Sequence, residues 1–253
     1  IAPNFFEKTN GGRRIMNNTD AIKEQYLAKT AALVVAAGKG QRSGLNVPKQ
    51  FHNLAGKPLI LYCLEAFESF SFISEIVLVL PAEFLHVTAV KKDLARFSKL
   101  SQIVAGGEER QDSVMNGLEA LSPDVEYVAI HDGARPFPPK KATEQAILAA
   151  QECGAAILAI PVTDTVKQSD ADGFILDTIA RRALWLAQTP QVFRKDLIIE
   201  AHRETRRRGA ALTDDAGAVQ LLGRPVRLVE GSRNNIKITV NEDFEIATRY
   251  LNK

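Results

Sequence analysis

The sequence predicts a doubly wound α/β domain, a mostly parallel sheet with helices on both faces, and three observations predict it. From residue 31 onward short β-rich runs alternate with longer helical ones, the order that builds parallel strands joined by crossover helices. A chain of 253 residues that is 45% hydrophobic can fill one large domain with a small appendage. The first apolar run, Ala31–Ala37, ends directly in a glycine-rich segment opening at Gly38, and ligands of open α/β sheets bind at such carboxyl edges.

In order, strands are expected at Ala31–Ala37, Ile76–Leu80, Gln102–Val104, Tyr127–Ile130 and Ala155–Pro161, each a short apolar or β-branched run. Helices are expected between them at Ile60–Glu68, Phe84–Ala95, Gln111–Leu121 and Lys141–Cys153. A helix at Lys195–Arg208, a shorter one after Thr213, strands Val226–Val229 and Asn235–Val240 and a closing helix from Glu242 complete the pattern. Between Val162 and Ile179 the alternation breaks around Asp170-Ala-Asp-Gly173, a turn flanked by short β-type runs. This reads as a projecting β-hairpin arm, about residues 163–183, which either packs on its own domain or embraces a second copy to form a homodimer. Residues 1–30 read as an N-terminal tail with Met16 a candidate start, and 31–253 as a single domain.

The formal net charge of +2 gives no general affinity for nucleic acid, so functional positive charge must be gathered locally. Cys63 and Cys153 lie far apart without a zinc-type pattern and are expected as buried free thiols of a reducing compartment. No apolar run reaches the ~18 residues of a membrane span, and no signal-peptide core is present at the N-terminus. Cytoplasmic residence is the default, or the plastid stroma if the tail belongs to a transit peptide.

The segment from Leu33 through Gly38-Lys-Gly40-Gln-Arg42-Ser-Gly44 to Pro48-Lys49 carries the first chemistry. Its glycines allow a tight turn in which several N–H groups point at one anion. Arg42 and Lys49 add charge that would neutralise a triphosphate and the extra charge formed when its α-phosphorus is attacked. The third glycine comes one residue late for a dinucleotide fingerprint, and no GxxxxGK[ST] loop exists. A nucleotidyltransferase is the expectation.

Further blocks follow along the chain: Gly106-Gly-Glu-Glu-Arg-Gln-Asp-Ser113, His131-Asp-Gly-Ala-Arg-Pro136, Pro161-Val-Thr-Asp-Thr165, Gln188-Thr-Pro-Gln191, Leu212-Thr-Asp-Asp215 and Asn235-Ile-Lys-Ile-Thr239. With Ala36-Ala-Gly-Lys-Gly-Gln-Arg42 and Pro48-Lys-Gln50, these six in order resemble the sugar-alcohol-phosphate cytidylyltransferases over about residues 31–251. Within that family the likeness is greatest to the branch that serves non-mevalonate isoprenoid synthesis, whose acceptor is a methylerythritol phosphate. A ribitol 5-phosphate acceptor and a non-catalytic nucleotide-binding module of the same fold stand as alternatives.

Each block has a physical reading as well. Arg110 and Ser113 open a helix whose N-terminus would face the nucleotide, and the resemblance implies that Gly107, Glu108, Arg110 and Ser113 surround the cytosine. It implies nucleotide contacts for Ala36, Ala37, Gly38, Gly40 and Gly133 as well. Asp132 follows an apolar strand and is the candidate Mg²⁺ ligand, since that ion prefers one or two carboxylates plus phosphate oxygens. Arg135 and Thr189 are candidates for the acceptor, and His131 is expected as a packed strand-end residue. The resemblance implies that Thr165 and Arg181 reach across a dimer to the acceptor phosphate, although Ala180 stands where the family usually has Asp and Arg182 doubles the arginine. Lys237, in a β-type run beside Ile236 and Ile238, is expected inward against an anion. The triplet Arg206-Arg207-Arg208 is a favourable charge cluster at a helix C-terminus.

Overall fold

The first strand, β1 (Thr30–Val35), is buried almost along its length because its alternate residues face two different cores. The computed structural model describes residues 28–38, 48–87 and 92–251, excluding the side chain of Lys49. After β1 come the two-residue strands β2 (Asn53–Leu54) and β3 (Lys57–Pro58), α1 (Leu59–Ser69), β4 (Ile73–Leu80), β5 (Leu100–Ala105), α2 (Arg110–Glu119), β6 (Tyr127–Asp132), α3 (Lys140–Cys153) and β7 (Ala155–Pro161). The hairpin β8 (Val166–Ser169) and β9 (Ile175–Ile179) follows, then β10 (Trp185–Arg194), α4 (Lys195–Arg208), α5 (Asp215–Leu221), β11 (Arg227–Glu230) and α6 (Asn241–Leu251).

Seven strands form one sheet in the order β11-β7-β10-β6-β1-β4-β5. Every pairing is parallel except those of β10, which runs against both β6 and β7. Ala32 and Val34 of β1 join a core with Ile60, Leu64 and Phe67 of α1 and Ala146 and Ile147 of α3. Ala31 and Leu33 face the opposite core, built from Val114 and Leu118 of α2, Ile198 and Ala201 of α4 and Val219 of α5. Helices therefore cover both faces, as the pattern predicts. The chain leaves β1 toward β4 on one side, while β6 pairs on the other. The crevice between the carboxyl ends of β1 and β6 is thus the topological switch point.

Local signals account for the helix ends. Gly154, at φ 90°, closes α3 with its N–H on Ala150 O at 2.6 Å, the left-handed stop that glycine tolerates without a Cβ penalty. Asp214 caps α5 by accepting Gly217 N–H at 3.0 Å. The arm is a hairpin with its turn at the expected place: Asp170 Oδ1 accepts the N–H groups of Asp172 and Phe174, and Gly173 sits at φ 88°.

Four sequence expectations need correction. Phe84–Ala95 is not one continuous helix: Ala82–Phe84 makes a single 3-10 turn, with the Phe84 ring stacked on Phe51 at a centroid distance of 4.3 Å, and 85–87 are not helical; residues 88–91 lie outside the described residues, and 92–94 are helical. Asn235–Val240 is an extended loop without a ladder partner, tied instead by Ile238 N–H to Ala134 O at 2.9 Å. The strand β10 was not expected, since Pro190 interrupts its run; the Thr189–Pro190 peptide is cis, and the register against β7 shifts between Ala187 and Gln191. That irregularity is where a residue lacking an N–H can sit in a sheet. Finally, Cys63 is buried but Cys153 only half-buried; both are free. Among the described residues no helix is long and apolar enough to cross a membrane. The N-terminal tail up to residue 27 lies outside the described residues.

Candidate active site

Close backbone approach assembles the edge of the crevice. Ala36 N–H donates to Val79 O and Gly106 N–H to Leu80 O, both at 2.8 Å, while Gly133 N–H donates to Val35 O at 2.9 Å. A Cβ on Gly133 would lie 2.8 Å from Ala36 Cβ, and one on Gly106 2.2 Å from Ala37 Cβ. Neither contact is tolerable, so these two positions need glycine. The segments 36–38, 106–107 and 132–135 thereby pack side by side at the carboxyl ends of β1, β4, β5 and β6. Buried Gln50 holds the first of them, donating from Nε2 to Ala36 O and to Gly38 O.

Asp132, the last residue of β6, gathers the charge. Lys237 Nζ lies 2.8 Å from its Oδ2, Arg110 NH2 3.4 Å from Oδ1 and Arg135 Nε 3.8 Å from Oδ2. Burial opposes ionisation of Asp132, but Lys237, Arg110 and Arg135 more than reverse it and hold the carboxyl well below the usual range. Burial also opposes the charge on Arg135, whose pKa falls despite Asp132. Arg110 is itself forked onto a second carboxylate, with NH1 on Asp215 Oδ1 at 3.0 Å and NH2 on Oδ2 at 2.7 Å. Asp215 is fully buried and also meets His202 Nε2 at 3.1 Å. Burial pushes the Asp215 pKa up, yet Arg110 and His202 carry it below its ordinary value.

The antiparallel β10 clips these loops together with polar side chains turned into the protein. Thr189 Oγ1 accepts the Asp132 N–H at 3.1 Å and stands 3.0 Å from His131 Nδ1. His131 Nε2 is 2.9 Å from Arg135 O. Burial drives the His131 pKa down to about 4, so near neutral pH Nε2–H donates to Arg135 O and Nδ1 accepts the Thr189 hydroxyl. Asn235 Nδ2 donates to Thr189 O at 2.7 Å, and Asn235 O accepts Arg135 NH1 at 2.7 Å. Gln191 donates to Asp214 Oδ2 at 2.9 Å and accepts Ala216 N–H at 3.0 Å. The segments bearing Asp132, Lys237 and Asp215 are thus fastened to one strand.

A carboxylate kept ionised among three cations, beside a glycine-lined edge, can hold a polyphosphate and its counter-ion. A family model described as IspD, 2-C-methyl-D-erythritol 4-phosphate cytidylyltransferase, matches residues 30–253. The chain belongs to the IspD family. It is similar to the 2-C-methyl-D-erythritol 4-phosphate cytidylyltransferase of Pelotomaculum thermopropionicum, at 50% identity over 222 residues, 87% of this chain and 92% of that one. The corresponding protein of Alkaliphilus oremlandii is 43% identical over 90% of this chain and 97% of its own length. Among solved structures, the 4-diphosphocytidyl-2C-methyl-D-erythritol synthase of Anaerococcus prevotii matches with a TM-score of 0.78 at 31% identity, over 89% of this chain and 99% of that one. The 2-C-methyl-D-erythritol 4-phosphate cytidylyltransferase of Thermus thermophilus gives 0.73 at 32% identity, over 87% and 98%.

In this IspD-family chain the residues expected from sequence fall into three groups. Ala36, Ala37, Gly38, Gly107, Ser113, Gly133, Arg110, Asp132, Arg135, Thr189 and Lys237 converge on one crevice edge, with exposed Glu108 on the same loop as Gly107. Ser113 Oγ is engaged inside that loop, accepting Gly107 N–H at 3.1 Å and donating to Glu109 O at 3.2 Å. Lys237 is not an inward strand residue. Its side chain is 43% accessible and its anion is Asp132, while Ile238 takes the buried position. Thr165 and Arg181 are exposed at the base of the arm, where Arg181 NH1 donates to Thr163 O. Gly40 and Arg42 lie outside the described residues, and only the backbone of Lys49 is described, at the start of a 3-10 turn. Asp215, His202, Asn235 and Gln191 were not expected in any role. Asp215, Gln191 and Asn235 stand within the sequence motifs, but nothing in the sequence marks His202.

Proposed function

We infer that this chain transfers CMP from CTP to 2-C-methyl-D-erythritol 4-phosphate in non-mevalonate isoprenoid synthesis. The observation that carries the reading is Asp132, held ionised by Lys237, Arg110 and Arg135 at the switch point of an IspD-family sheet. An oxygen of the acceptor phosphate attacks the α-phosphorus of CTP in line. A new P–O bond forms as the bond to the β-phosphate bridge breaks, and the electron pair leaves on pyrophosphate. The acceptor monoester is already largely anionic at neutral pH, so no general base is required. His131 is accordingly free to be structural, with both ring nitrogens engaged within the fold.

Catalysis then rests on positioning and charge. The 36–38 segment and the Gly107 loop take the nucleotide, with Arg110 at the N-terminus of α2, where an anion is favoured. Arg42 and Lys49, assigned from the sequence motif, neutralise the triphosphate. Lys237 is accessible enough to exchange Asp132 for a substrate phosphate, and Arg135 and Thr189 hold the loop beneath it. Mg²⁺ fits this donor set: Asp132 offers one hard anionic oxygen, and an ion of this kind completes its shell with phosphate oxygens and water. Asp132 would hold it, and its chemistry is to neutralise charge on the triphosphate. The arm supplies the contact for a homodimer, bringing Thr165 and Arg181 to the partner's acceptor.

The test is pyrophosphate release with CTP and either 2-C-methyl-D-erythritol 4-phosphate or ribitol 5-phosphate. Turnover with the first alone is expected. Preference for ribitol 5-phosphate would reassign the acceptor, and no release with either would leave a nucleotide-binding module.

A further inference from the structure

Among the described residues Arg110 is the one cation of the crevice that touches two carboxylates, and the stronger contact points away from the reaction. Its fork onto Asp215 is bidentate at 3.0 and 2.7 Å, whereas Asp132 Oδ1 is 3.4 Å away. Asp215 is the first residue of α5 and entirely enclosed. Its Oδ1 also receives His202 Nε2 at 3.1 Å, from a histidine buried on α4. Arg110 needs such an anchor because it borders, together with Asp215 and His202, an open cavity of about 100 Å³ that Glu109, Gln111, Leu212 and Asp214 also line. A guanidinium on a long flexible stem can rotate into that space unless it is held.

We propose that His202 and Asp215 are positioning residues: they fix the Arg110 guanidinium at the nucleotide end of the crevice and keep it from swinging across the cavity it borders. The inference rests on the reading in which Arg110 faces the nucleotide. Asp215 supplies both oxygens of the fork, and His202 fixes the carboxylate plane by holding one of them. Each hydrogen bond involves an ionised group in a buried setting, where such bonds are strongest and most directional. α4 and α5 thereby determine the aim of a side chain on α2.

The experiment compares His202→Leu, which keeps bulk and removes the donor, with His202→Gln, whose amide nitrogen can replace Nε2. His202→Leu is expected to raise the CTP KM about tenfold, the scale of one hydrogen bond to a charged group. The acceptor KM should stay unchanged, and kcat should hold to within about twofold. His202→Gln should restore the CTP KM to within about threefold of wild type. In an Arg110→Ala background His202→Leu should add nothing, since its effect runs through the arginine. A CTP KM unchanged by Arg110→Ala would defeat the nucleotide reading of Arg110 itself. If Arg110→Ala raises that KM but His202→Leu does not, or if the two effects add in full, Arg110 keeps its place and the positioning proposal is overturned. A merely structural His202 would lower the melting temperature without a selective CTP effect, and Gln would not rescue selectively.

Discussion

A carboxylate at the mouth of a crevice stays ionised only in company, and Asp132 has three cations within 4 Å. The neighbouring His131 is treated in the opposite way, since burial denies it a proton. Its pKa falls to about 4 in the folded protein, against about 6.5 in an unfolded chain. Between those values the unfolded chain binds a proton that the folded one refuses. Stability is therefore full above about pH 6.5, declines as pH falls, and below about pH 4 is reduced by roughly 3 kcal/mol, the size of the shift. Asp132 acts in another window: its depressed pKa adds stability above the ordinary carboxylate range, lost only as pH falls below it. Urea midpoints at pH 7 and pH 4.5 should thus differ clearly in the wild type and less in His131→Gln, whose amide can still donate to Arg135 O. An equal drop in both proteins would mean that another group titrates.

At the scale of elements, β10 explains both what the site is made of and why it was hard to read. Gln188, Thr189 and Gln191 are 5%, 5% and 1% accessible, yet as a polar trio around a proline they read as loop. Their polarity serves the neighbouring loops, not solvent. Gln191→Leu fits the same volume but removes the partners of Asp214 Oδ2 and Ala216 N–H. It should cost about 2 kcal/mol, the penalty for leaving buried groups unpaired, seen as a lower urea midpoint with an unchanged slope; a loss under about 0.5 kcal/mol would show that water replaces the glutamine. The remaining parallel strands were legible because a strand buried on two faces is a continuous apolar run. Asn235–Val240 has the same look, but its apolar Ile238 packs with Leu54, Leu59 and Ala247 outside the main sheet. The site divides in the same way. Asp132, Arg110 and Lys237 lie in dense local motifs, whereas the Arg110 to Asp215 contact spans 105 positions. His202 has only helical periodicity around it. Contacts of that range depend on how elements pack, which no local pattern contains.

For the whole molecule the arm is the feature without an evident place. Phe174, Ile175 and Leu176 at its tip are 72%, 65% and 63% accessible, and Leu186 near its base 56%. A two-stranded hairpin is marginal alone, and three adjacent exposed apolar side chains call for a covering surface. With a net charge of only +2, self-association meets little repulsion. Sedimentation should show a dimer for the intact chain and a monomer once residues 166–178 are deleted; a dimer that survives the deletion removes the arm from the interface. A stricter measurement asks whether the arm also completes its neighbour's site. Arg181→Ala spoils what a subunit lends, and Lys237→Ala spoils what it receives, so in a mixed dimer of the two variants one site draws both defects and the other none. Co-refolding equal amounts makes about half the dimers mixed, each with one intact site of two, so roughly a quarter of wild-type activity should return. If Arg181 instead serves its own subunit, every site in the mixture carries one defect and activity stays at the level of the separate variants.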